Sequence, residues 1–113
     1  MTDDRTAHRE LLGRSDHELR LISGSATHQH YKGGLYRLVG ELKDADTGQP
    51  VLGKDGRPRV LYQHCYPYAR EYWARDYSDF FGTVLDLSSP DVENRETRPP
   101  RFRPLAGAHI PEM

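Results

Sequence analysis

The residues of this chain best suited to chemistry are aromatic and cationic, and they recur at strand spacing. Tyr62, His64, Tyr66 and Tyr68 alternate, so an extended backbone turns them to one face. Trp73 and Arg75 stand one strand repeat apart and share a face in the same way. Such a stripe stacks a nucleobase, and an arginine fork beside it takes a phosphate or carboxylate. The same rings also suit half-buried sheet packing, with Trp73 in a small core and Arg75 paired to an acid. Tyr31, Lys32 and Tyr36 flank Gly33-Gly34, whose unhindered backbone N–H groups let an anion approach Lys32. A glycine turn with a solvated lysine fits there as well, since the Walker spacing is absent. Arg101 and Arg103 close the list of ligand-binding candidates: Tyr31, Lys32, Tyr36, Tyr62, His64, Trp73, Arg75, Arg101 and Arg103.

Catalytic chemistry has less to work with. His28-x-His30 puts two imidazoles on one strand face, but there is no HExxH and no Cys/His quartet, so no metal site is expected. Cys65 follows His64 directly. Strand neighbours point to opposite faces, so His64 is badly placed as its base and a buried thiol is expected. Asp76 and Asp79 suit turn capping better than acid–base work. No nucleophilic triad is legible, and the expectation is a non-enzymatic protein with no catalytic residues, no metal and no cofactor.

These side chains need elements to position them, and the chain divides into three zones. Residues 1–26 read as an N-terminal helix and linker. Thr6 caps a first helix through Leu12, ended by Gly13, and Ser15 with Glu18 has the capping-box spacing for a second. An extended Glu18–Ile22 is the alternative there. Residues 27–82 read as a small β-barrel domain, with strands at Leu35–Val39, extended to Lys43 past a bulge at Gly40, at Val60–Tyr66 and at Tyr72–Arg75. Asp46-Thr47-Gly48 and Lys54-Asp55-Gly56 are turns, and Val51-Leu52 is a short edge strand at most. Phe80 and Phe81 follow a turn and plug a core. Residues 83–113 read as an extra strand at Thr83–Leu87 and an extended tail. Four arginines and three prolines fall between Arg95 and Pro104, where proline stiffens the chain. The fold class is mainly β: a small SH3/tudor-like antiparallel β-barrel with an N-terminal helical segment and an extended C-terminal tail.

Composition narrows the partners. The 113 residues hold 16 Lys+Arg against 17 Asp+Glu, a net charge of −1, and no zone is a polycation. Long nucleic acid is therefore not the expected partner, because its affinity rests on a basic field. The single cysteine excludes an intramolecular disulfide, and no apolar run approaches a membrane span or a secretory signal, which fits a cytoplasmic protein. Only 35% of residues are hydrophobic, yet seven tyrosines crowd between Tyr31 and Tyr77. So small a core is marginal alone, and a homo-oligomer is expected.

The segment His30-Tyr31-Lys32-Gly33-Gly34-Leu35-Tyr36, closing on Gly40, resembles the opening motif of domain-of-unknown-function family 1653, a small bacterial and phage family. Asp44–Gly48, Val60-Leu61-Tyr62, Trp73-Ala74-Arg75 and Phe80-Phe81 follow in the family's order. The resemblance runs from His28 to Phe81. Asp76 departs from it where the family has proline, as do the long insert Gln49–Arg59 and the tail beyond Gly82. It implies a small barrel-like fold of a size that mostly binds ligands. Together with the phage occurrence of the family, it leads to the expected function: a small-ligand binder for a phosphorylated nucleotide. In its sharpest form this is a phage-type sponge sequestering cyclic oligonucleotide immune signals. The alternative is a tudor-like protein-interaction module or oligomeric adaptor with no nucleotide ligand.

Overall fold

The computed structural model describes residues 9–84 and 99–113. The expected cap at Thr6 and most of the expected strand Thr83–Leu87 lie outside them. The remainder is mainly β, as expected: five strands, β1 (His28–His30), β2 (Leu35–Glu41), β3 (Val60–Tyr66), β4 (Tyr72–Arg75) and β5 (Phe102–Pro104), form one antiparallel sheet. Their order is β4-β3-β2-β1-β5. Among the described residues the sheet stays open, with β4 and β5 at its edges. The segment expected to be an extended tail supplies β5, which pairs with β1 over all three of its residues and buries Phe102. The sheet thus reaches beyond residues 27–82, where the sequence placed the barrel.

Between residues 15 and 22 helix wins over strand because the cap closes. The Ser15 hydroxyl oxygen accepts the Glu18 N–H at 3.1 Å and donates to the Glu18 carboxylate at 3.2 Å, starting α1 (Asp16–Ile22). α1 buries Leu19 and leaves Leu21 in solvent. A second helical turn, α2 (Tyr77–Phe80), follows β4. The sequence places both phenylalanines here in a core. Phe80 is fully buried, whereas Phe81 lies past the end of α2 and is 41% exposed.

Strand alternation gives the sheet two faces, each with its own core. Leu35 and Cys65 pack with Leu11, Leu19, Ala26 and Leu105 on one side. Tyr36, Leu38, Val60, Tyr62, Phe80 and Phe102 pack on the other, with Tyr77, Ile110 and Met113 against them. Two bulges set the register. One falls between Leu38 and Gly40, where Gly40 takes φ 150°. At the other, Tyr36 opposes His64 but Leu35 opposes Tyr66, leaving Cys65 as the extra residue. That bulge ends the expected Tyr62–Tyr68 alternation after His64.

Buried polar groups tie the elements together. Gln29 Nε2 donates to the Leu11 and Gly33 carbonyls at 3.2 Å each, and its Oε1 accepts from Arg103 at 2.9 Å. Thr27 Oγ1 accepts the Leu38 N–H at 2.8 Å and lies 2.8 Å from His28 Nδ1. No helix among the described residues is long and apolar enough to cross a membrane.

Candidate functional site

One sheet face carries most of the aromatic residues singled out above. Pairing sets Tyr36 opposite His64 and Tyr62 opposite Trp73, and sets His30 opposite Phe102. The rings run in a chain. Tyr36 meets His64 edge-on at 4.6 Å, His64 lies 5.6 Å from Trp73 and stacks on Tyr68 at 5.3 Å, and Phe80 stacks on Phe102 at 4.3 Å. Cys65 falls on the opposite side in the other core, as strand alternation requires.

Burial separates the rings into two groups. Tyr36, Tyr62, Phe80 and Phe102 are core. Desolvation pushes the Tyr36 hydroxyl up to about 12, with Tyr62 and Tyr68 adding to the rise and Arg75 opposing it, so this hydroxyl stays protonated. Trp73 behaves differently: edge strand β4 leaves it 47% exposed. The core role its size suggested goes to Phe80 instead.

Around Trp73 the surface folds into a cleft of about 740 Å³. Tyr62, Trp73 and Arg75 come from the sheet, Leu52–Lys54 from the β2–β3 connection, and Asp79 from α2. Arg75 Nε donates to the Tyr62 hydroxyl at 2.9 Å. Its guanidinium lies 6.0 Å from the Tyr62 ring centre and 5.7 Å from that of Phe102, within cation–π range. Arg75 makes no ion pair among the described residues, so the expected pairing with an acid is replaced by a hydroxyl and two ring faces. Arg59 Nε sits 3.2 Å from Asp76 Oδ1, an ionic contact outside hydrogen-bond alignment, and neutralises that acid.

The connection reaches the sheet because it is clipped to α2. Asp55 accepts the Ser78 N–H at 2.8 Å and the Arg57 N–H at 3.0 Å, and these bonds, Ser78 first, hold its carboxyl below the usual range. Asp76 accepts the Lys54 N–H at 3.3 Å. Gly53 permits the close approach, because a Cβ there would run into the Asp76 carboxylate. Arg57 covers the Tyr77 ring at 4.9 Å.

Of the nine candidates, Tyr62, Trp73 and Arg75 line this cleft. Tyr36 and His64 support it through the ring chain without lining it. Tyr31 and Lys32 lie in the β1–β2 turn, where the Tyr31 ring packs 4.5 Å from His30 and the Lys32 ammonium sits 5.7 Å from the Tyr31 ring centre. Arg101 joins the fold through its backbone, accepting from Tyr31 and donating to Gly82. Arg103 does not line the cleft. Alternation in β5 that buries Phe102 on the aromatic face turns Arg103 to the other, where it pairs with Asp16 at 2.9 Å. That contact helps hold the Asp16 carboxyl low, after the larger effect of the Ala106 N–H. The sequence reading missed Lys54 as a lining residue and took Asp79 for a turn cap. Lys54-Asp55-Gly56 has the signature of an ordinary turn, and no local spacing announces that it folds over β4. Among the described residues no three His, Cys, Asp or Glu side chains converge as a metal site.

A family model described as a protein of unknown function (DUF1653) matches residues 26–104. The match takes in the His30–Gly40 motif and Trp73, and it continues past Phe81 through β5. No curated protein and no solved structure matches the chain.

Proposed function

The chain belongs to the DUF1653 family, and on that footing we propose that it is a non-enzymatic binder of a small phosphorylated nucleotide. One observation carries the reading: the half-exposed indole of Trp73 stands in a cleft beside Arg75 and Lys54. A nucleobase stacks on the indole, for about 1–3 kcal/mol, and its phosphate meets the two cations. With net charge −1 the cations act locally, which favours a small anion over a polyanion. The sharpest form of the proposal is a cytoplasmic, homo-oligomeric sponge that sequesters cyclic nucleotide signals and releases them unchanged. The same cations disfavour the tudor-like alternative, because a cationic peptide side chain entering here meets Arg75 and Lys54.

Trp73 is the one tryptophan of the chain, so its fluorescence reports on the cleft. We expect quenching by mononucleotides or cyclic di- and trinucleotides, matched by heat in calorimetry and abolished in calorimetry by Trp73→Ala. Mass spectrometry after heat release should return the nucleotide intact. No quenching and no heat with any of them, at protein concentrations of order 100 μM, would sink the proposal.

A further inference from the structure

The cleft holds two kinds of unspent charge. Lys54 and Asp79 line it, and neither side chain makes a hydrogen bond or ion pair among the described residues. Arg75 commits only Nε, to Tyr62. Arg59 and Asp76, by contrast, are paired in charge. A guest that is anionic throughout sets its charge against Asp79, and a cationic one meets Lys54 and Arg75. The arrangement fits a molecule with an anionic end and a separate donor edge, joined by a flat ring that lies on Trp73.

Resting on the nucleotide reading above, we propose that the base is guanine. A carboxylate accepts through two oxygens and donates nothing. Guanine presents two adjacent donors, N1–H and N2–H, on its Watson–Crick edge. Adenine and cytosine each set a donor beside an acceptor, and uracil sets one donor between two acceptors. Asp79 therefore pairs with guanine along both bonds and repels an acceptor atom of every other base. The phosphate meets Lys54 and Arg75, at the positions the unspent cations define.

The test titrates the full chain with guanosine, inosine and adenosine 5′-monophosphates, following Trp73 fluorescence. Guanosine monophosphate should bind roughly 5- to 100-fold more tightly than adenosine monophosphate, the range of one bidentate base contact. Inosine monophosphate, which lacks the N2 amine, should fall between them. Asp79→Asn offers one donor and one acceptor, so it should erase or invert the guanine preference while leaving the thermal melt unchanged. Equal affinity for all three nucleotides overturns the guanine assignment and leaves the nucleotide reading standing. An Asp79→Asn preference identical to wild type overturns it as well. Silence with every nucleotide overturns both.

Discussion

His28 should make this protein acid-labile in a pH window set apart from its carboxylates. It is 3% exposed, edge-on to Phe80 at 5.4 Å, and burial lowers its pKa from 6.5 to about 4. Thr27 Oγ1 accepts the Leu38 N–H and lies 2.8 Å from His28 Nδ1, a contact the neutral ring makes in either tautomer. Above pH 6.5 both folded and unfolded chains carry a neutral ring, and no stability is at stake. As pH falls through 6.5 the unfolded chain takes up a proton that the folded chain refuses. Stability then declines until about pH 4, where the folded ring titrates too. At about 1.4 kcal/mol per pH unit the full loss is about 3 kcal/mol, against a typical total of roughly 5–15 kcal/mol. Asp16 and Asp55, both lowered, lose their contributions only as pH falls below the ordinary carboxylate value of 3.8, so they leave this window clear. Urea unfolding at pH 7.5, 6.5, 5.5 and 4.5 reads the effect as a midpoint falling by on the order of 1–2 M. His28→Leu should start less stable at pH 7.5, from the broken Thr27 contact, and then lose little on acidification. Equal slopes for the two proteins between pH 6.5 and 4.5 would refute the reasoning.

Three further outcomes follow from packing. Phe80→Ala removes a fully buried ring stacked on Phe102 and should cost about 3–5 kcal/mol by thermal or urea unfolding. Gln29→Ala leaves the Leu11 and Gly33 carbonyls and the Arg103 guanidinium short of a partner, with an expected loss of about 1–3 kcal/mol in the same assay. Gly53→Ala drives a Cβ into the Asp76 carboxylate and should cost about 1–3 kcal/mol. It should also weaken nucleotide quenching of Trp73, since Gly53 and Lys54 form one wall of the cleft.

Much of the fold was legible because local rules decided it. The Ser15–Glu18 box, the bulge at Gly40 and the spans of β3 and β4 all follow from neighbours in sequence, and the structure keeps them. The opposite facing of His64 and Cys65 follows from alternation alone. Local reading failed where an extra residue or a distant partner intervened. The bulge at Cys65 ended the tyrosine stripe, and pairing with β1 turned an arginine–proline segment into a strand. Arg103 pairs with Asp16, 87 positions away, on the face opposite the aromatic cleft, a placement that no local spacing records.

By itself, then, the sequence determined a small antiparallel β domain, its family motif, and two separate strand repeats, Tyr62-x-His64 and Trp73-x-Arg75, each with its side chains on one face. Those features depend on strand periodicity, which a one-dimensional pattern records. Only the tertiary structure decided which rings are buried and which stay open. Phe80 takes the centre of the core, and Trp73 is left at the sheet edge. It also decided that Lys54 and Asp79, 25 positions apart, face one cleft with their charges unspent. That meeting rests on the Asp55 and Asp76 clips and on the room left by Gly53. It is a property of chain closure, and no spacing along the chain encodes it.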